Sequence, residues 1–316
     1  MPSPDYPYRI QGLRVNRREV LRYAFVAGVG LVAIPLIGCG KDEGEEVAKA
    51  TSTTVATAVP PSGSFDSDGV KIHYETFGEG KPIILVHGFT LSLKYNWVGP
   101  GWVDALKPLR RVVALDCRGF GESDKPHDPE AYGNENMAGD VLRLMDYLDI
   151  EKADIFGYSM GSGIACYLLA NHRERLTSAI MAGIGDRFVL GPADEVRSND
   201  MAEAMLAEDP SQITNPVARD FRAIAEAIPG NDLEALAACA LRTREPVDAA
   251  ALGAVDIPVL LLNGGKDDVM GPADELVAAI PRATQVIIAD ADHLVVFDPL
   301  AREPALSFLK RQQEEG

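Results

Sequence analysis

The sequence predicts an α/β domain: a mostly parallel central sheet with helices on both faces. Three observations carry that expectation. Runs such as Pro82–Val86, Leu176–Met181 and Ile257–Leu262 are almost continuously apolar, the pattern of strands covered on both sides. Between such runs, apolar residues recur at helical spacing, as at Met137, Val141, Leu144, Met145 and Leu148, which suits one helix face. Finally, the apolar stretch Ala153–Phe156 runs straight into Gly157-Tyr158-Ser159-Met160-Gly161, and a helix-like run through Tyr167, Leu168 and Leu169 follows. A G-x-S-x-G pentapeptide between strand and helix forces a sharp turn that pushes the serine hydroxyl outward.

The chain has 316 residues and a formal charge of −17. Its first 38 residues hold five Arg and two acids, so the remainder carries 25 basic against 45 acidic side chains, a net −20. Such a body repels nucleic acid and anionic lipid head groups, and no nucleic-acid partner is expected. The plainer effect of the charge is solubility. Cysteines stand at 39, 117, 166 and 239. None has metal-ligand spacing, and the last three sit among apolar neighbours as buried thiols do. No glycine-rich phosphate loop, HExxH or His/Cys cluster is present, so neither a metal nor a nucleotide cofactor is expected.

Residues 1–39 are expected to be an export signal. Asn16-Arg17-Arg18-Glu19-Val20-Leu21 resembles a twin-arginine motif, with Val20-Leu21 where that pattern usually has Phe-Leu. An uncharged apolar run, Tyr23–Gly38, follows; it is shorter than the roughly 20 residues of a spanning helix. Leu36-Ile37-Gly38-Cys39 resembles a lipobox, which implies lipidation of Cys39 and a membrane-anchored lipoprotein on the extracytoplasmic side. The alternatives are a soluble secreted form and an uncleaved apolar anchor. Residues 40–64, rich in Thr, Ala, Glu, Pro and Gly, suit a flexible linker, and the folded domain is expected over 65–316.

Within that domain, Val70–Glu75 alternates apolar and polar, an antiparallel strand with one wet face. His73 there suits a surface or satisfied-core role. Pro82–Val86 ends in His87-Gly88-Phe89-Thr90, where the chain must bend so that a backbone N–H faces a substrate. Phe89 is the expected oxyanion-hole amide, with Met160 as the second donor. His87 is an alternative base, but it more naturally supports the loop. Asn96-Trp97 is expected to begin a helix reaching Leu106. Tyr95 and Trp97 are candidates for the wall of an acyl pocket, core packing being the other role for the Trp. Arg111–Asp116 is a further strand.

The next segment, Asp116-Cys117-Arg118-Gly119-Phe120-Gly121-Glu122-Ser123, matches every fixed position of D-x-R-G-x-G-x-S. Together with the Ser and His-Gly motifs it makes the chain resemble the alpha/beta-hydrolase superfamily, in its esterase, haloperoxidase and epoxide-hydrolase-like branch, over roughly residues 65–314. The resemblance implies a helical cap inserted at about 187–255, where Ala and Glu dominate. It places a triad acid in a G-x-x-D setting after a late strand. Gly264-Gly265-Lys266-Asp267 matches, so Asp267 is the expected acid, with Asp268 and Asp186 as alternatives. It makes His293, just past the last strand, the expected base, in the order Ser159, Asp267, His293. Asp116 and Arg118 are read as structural. Ser in place of Asp at the nucleophile position argues against haloalkane dehalogenase and epoxide hydrolase. The implied activity is a serine hydrolase, a carboxylic-ester hydrolase acting on small esters through an acyl-enzyme. The alternatives are perhydrolase, lactonase, amidase or C–C hydrolase chemistry with the same triad, or a non-catalytic binding member of the fold. Oligomeric state is not legible.

Overall fold

The computed structural model describes residues 61–191, 194–242 and 246–314. The expected export signal, Cys39 and nearly all of the expected linker therefore lie outside the described residues. Eight strands form one sheet: β1 (Ser62–Ser67), β2 (Val70–Phe77), β3 (Pro82–Val86), β4 (Arg111–Leu115), β5 (Ala153–Tyr158), β6 (Leu176–Ala182), β7 (Val259–Gly264) and β8 (Ala283–Ile288). The spatial order is β1-β2-β4-β3-β5-β6-β7-β8. Pairings β1/β2 and β2/β4 are antiparallel, and the five from β4 to β8 are parallel. The helices are α1 (Trp102–Leu106), α2 (Asn134–Tyr147), α3 (Met160–Asn171), α4 (Asp186–Val189), α5 (Glu195–Leu206), α6 (Pro216–Ala227), α7 (Leu233–Leu241), α8 (Ala249–Leu252), α9 (Asp274–Ala279) and α10 (Arg302–Glu314).

The unbroken apolar runs are explained by the layers. Successive side chains of a strand point to opposite faces, and here each face is covered. Ile84 and Val86 of β3, Val113 and Leu115 of β4 and Ile155 of β5 join a core with α2 and α3. Ile83, Leu85, Val112, Ala114 and Phe156 join a second core with Trp97, Trp102 and α10. Each fully buried Leu or Ile contributes about 1.5–3 kcal/mol.

Two expectations are corrected. The first strand starts at Ser62, inside the stretch read as linker, and pairs Phe65 with Ile72 of β2. Its Ser-Gly-Ser-Phe-Asp-Ser sequence lacks an apolar signal because its inward polar residue is satisfied: the buried Ser67 hydroxyl donates to Asp140 (2.5 Å). The helix expected over Asn96–Leu106 is broken. A single wide turn, Lys94–Val98, closes with the Gly99 amide donating to the Lys94 carbonyl (2.8 Å), and α1 begins at Trp102 after Gly99-Pro100-Gly101. Trp97 packs against Phe156 and Trp102, with ring centroids 4.9 and 6.4 Å away. It therefore fills the core beneath the sheet and does not line the cavity described below.

The cap is helical: α4 to α8 lie between β6 and β7. Arg222 of α6 sets its internal geometry. Its guanidinium donates to the carbonyls of Ala204, Met205 and Ala207, satisfying the unpaired C-terminal end of α5.

Candidate active site

The nucleophile turn is built by what cannot fit in it. A Cβ on Gly157 would overlap the Gly161 carbonyl, and one on Gly161 would overlap the Val86 carbonyl. Ser159 itself sits at φ 52°, ψ −111°, a region that costs a non-glycine residue about 1–3 kcal/mol and persists only where surroundings enforce it. Its amide donates to the Ala182 carbonyl (2.9 Å), and so does the Ser162 hydroxyl (2.8 Å). The end of β6 thus clamps the turn from both sides.

The three candidate triad residues follow the C-terminal ends of β5, β7 and β8. Ser159 Oγ lies 2.9 Å from His293 Nε2, and His293 Nδ1 lies 3.0 Å from Asp267 Oδ2. The other carboxylate oxygen, Asp267 Oδ1, accepts from the amides of Val269 (3.0 Å) and Met270 (2.9 Å). Burial raises the Asp267 carboxyl. The facing imidazole and the two amides outweigh this and hold it below the usual carboxylate range. An ionised Asp267 takes the Nδ1 proton as its hydrogen-bond donor, which leaves Nε2 as an acceptor toward the serine hydroxyl. Tyr158 supports the candidate base: its hydroxyl donates to the His293 carbonyl (3.0 Å) and its ring stacks on the imidazole.

The alternatives are engaged elsewhere. The Asp186 carboxylate accepts from the amides of Glu275 and Leu276 (3.1 and 2.8 Å), capping α9. Asp268 is exposed. His87 is fully buried, and burial pushes its pKa down. Its Nδ1 donates to the Gly88 carbonyl (2.8 Å) while Nε2 accepts from the Cys117 amide (3.0 Å), so both nitrogens hold the loop. Asp116 accepts from the amides of Leu93 and Glu122, and Arg118 forks onto Asp140 (2.7 and 2.8 Å). Both shape the loops.

Phe89 and Met160 line the same cavity as Ser159. Met160 opens α3, where amides have no partner within the helix. The Phe89 peptide is held from both sides. The Gly88 amide donates to Asn96 Oδ1 (2.9 Å), and the Thr90 carbonyl accepts from Asn231 Nδ2 (2.9 Å), a residue of the cap. Thr90 adopts φ 65°. Sequence reading did not single out Tyr158, Asn96 and Asn231 for these roles. The aromatic beside the nucleophile was visible, but Asn96 and Asn231 carry no local signal.

The cavity encloses about 930 Å³ between the sheet edge and the cap, with Phe188, Met201 and Phe221 among its walls. A smaller apolar recess on the His293 side is formed by Leu91, Val217, Ile224 and Phe297. Among the described residues no His, Cys, Asp and Glu cluster is arranged to hold a metal ion, and no helix is long and apolar enough to cross a membrane.

A family model described as the alpha/beta hydrolase fold matches residues 81–245. The chain is 31% identical over 256 residues to the dihydrolipoyllysine-residue acetyltransferase component of the acetoin cleaving system of Pseudomonas putida, covering 75% of this chain and 66% of that one. It is 33% identical over 119 residues to the 2-hydroxymuconate semialdehyde hydrolase of Pseudomonas sp. strain CF600, covering 36% and 40%. It therefore spans about two thirds of the first relative and two fifths of the second. Among solved structures, a thermophilic esterase from Thermogutta terrifontis superposes with a TM-score of 0.62 at 27% identity, over 80% of this chain and 96% of that one.

Proposed function

Because the chain belongs to the alpha/beta hydrolase family, we propose that it is a serine hydrolase cleaving small carboxylic esters through an acyl-enzyme. The observation that supports this most is the unbroken relay from Asp267 through His293 to Ser159, at 3.0 and 2.9 Å, on the floor of a large cavity. Nucleophile and base within hydrogen-bond reach, with the base oriented by a third group, are the requirements for activating a serine.

In this reading His293 Nε2 takes the hydroxyl proton as Ser159 Oγ bonds to the ester carbonyl carbon. The carbonyl oxygen becomes an oxyanion facing the amides of Phe89 and Met160. One such donor contributes about 2.7–4 kcal/mol at the transition state. The protonated imidazole, stabilised by Asp267, returns its proton to the departing alkoxide and the alcohol leaves. Water, deprotonated by the same nitrogen, then attacks the acyl-enzyme. This releases the acid and restores the serine.

The likeness to a C–C hydrolase favours one second reading, cleavage of an activated carbon–carbon bond by the same groups. The two separate on a panel of p-nitrophenyl esters against vinylogous diketones. For either, a fluorophosphonate probe labels the native protein and not Ser159→Ala. Unchanged ester turnover in Ser159→Ala defeats the assignment. We also infer export by the twin-arginine route and anchoring through lipid on Cys39, a reading supported by the arginine pair, apolar run and lipobox in register.

A further inference from the structure

The charges around the cavity are arranged by depth. Glu195, Asp268 and Asp274 belong to its lining but are exposed, as is Arg187. Asp194 caps α5 by accepting the Arg197 amide (3.0 Å) and faces Arg187 at 3.9 Å. Asp267 is committed to His293 and two amides. Inward of this rim stands Arg197, part-buried in the first turn of α5.

Among the described residues Arg197 forms no ion pair. Its hydrogen bond runs from Nη1 to the Val269 carbonyl (2.9 Å), two residues past Asp267, which fixes the guanidinium beside the catalytic loop. A guanidinium has five N–H donors, so most of this one's donors stay available. Burial lowers its pKa more than the nearby charges of Asp194 and Asp267 raise it, and Arg187 lowers it further. A desolvated cation with no carboxylate in direct contact is costly to the fold. Its cost is offset when an anion arrives, and the planar fork suits a carboxylate in two-point contact.

We propose that Arg197 anchors a free carboxylate on the substrate, so that the preferred esters are short half-esters of dicarboxylic acids. This rests on the ester-hydrolase reading and narrows its substrate class. The carboxylate is a spectator: the ester bond is hydrolysed as above, and the charged end sets how the molecule lies against Ser159.

The test compares mono-p-nitrophenyl glutarate with p-nitrophenyl valerate, which match in chain length. Native enzyme is expected to favour the half-ester in kcat/KM by about ten- to a hundred-fold, the scale of a charge-assisted pair. Arg197→Met should collapse that ratio by ten-fold or more, and Arg197→Lys should recover part of it. A ratio near one in the native enzyme overturns the proposal. So does an equal loss on both esters in Arg197→Met, since a structural role lowers both together. A second arm needs no turnover: calorimetric titration of Ser159→Ala with glutarate should show binding that is lost on adding Arg197→Met. Glutarate binding that survives the double substitution also overturns it. If neither ester is turned over, the hydrolase reading fails, while the glutarate titration still decides the carboxylate site.

Discussion

At Asp267 the structure assigns the two carboxylate oxygens to different tasks, one to the backbone and one to the imidazole. Asp267→Asn preserves the shape but permits the wrong imidazole tautomer, and kcat should fall by roughly 10⁴-fold, as in serine proteases, with KM little changed in steady-state assays. Asp267 is held below the ordinary carboxylate range. The acid limb of the kcat/KM profile should therefore show no carboxylate-like inflection at or above the ordinary carboxylate range; one there contradicts the assigned environment. At this scale much was legible. Ser159, His293 and Asp267 each stand just after a strand, and a motif or chain order marked them. The loop restraints from Asn96 and Asn231 were not, because a side-chain amide reaching a backbone group eight or 141 residues away leaves no pattern along the chain.

At the scale of elements, the cap is fastened to the body partly by His127. Its Nε2 is 3.0 Å from Asp232 and its Nδ1 3.0 Å from Glu234, both at the start of α7. Two carboxylates facing both ring nitrogens require the doubly protonated imidazolium, and the hydrogen bond to Asp232 first, then the charges of both acids, raise the pKa of His127 above 6.5. A raised histidine stabilises closure fully below its unfolded value and loses that contribution as pH rises through the folded value. The protection factors of α7 amides, corrected for the intrinsic base-catalysed exchange rate, should therefore be larger at pH 6 than at pH 9, and high salt should shrink the contrast because the site is exposed. In His127→Ala the protection factors should be the same at both; a persisting contrast would sink this account. The cap was legible as an Ala- and Glu-rich stretch at about 187–255. The break before α1 was signalled by Gly99-Pro100-Gly101, which the expectation of one helix through both tryptophans overlooked.

The whole molecule is held by two cores divided by the sheet, and one buried ion pair ties the sheet to the last helix. Arg110, fully buried, donates to Asp154 of β5 (2.7 Å) and to the Leu309 carbonyl of α10 (2.8 Å). Asp154 also accepts from the hydroxyls of Thr177 and Ser178 (2.6 and 2.7 Å). Arg110→Met strands a carboxylate inside the protein, a loss of about 3–5 kcal/mol. Thermal melting should fall by roughly 6–20 °C; a shift within a degree or two would mean that Lys81, 3.3 Å from Asp154, takes over. The parallel sheet was legible from its apolar runs, whereas β1 was hidden because Phe65 is its one apolar residue and its buried Ser67 is satisfied by Asp140, 73 residues further on. At the N-terminal end, the lipobox reading expects Cys39→Ser to release the protein from membranes in cell fractionation. Continued membrane association of that variant would favour an uncleaved apolar anchor.

The reaction itself is the central claim, and rapid-quench mass spectrometry reaches it most directly. Protein mixed with a p-nitrophenyl ester and acid-quenched within milliseconds should carry one acyl group, on the peptide containing Ser159, that decays at the turnover rate. Turnover with no such adduct, or with the acyl group on another residue, would contradict the nucleophile assigned here.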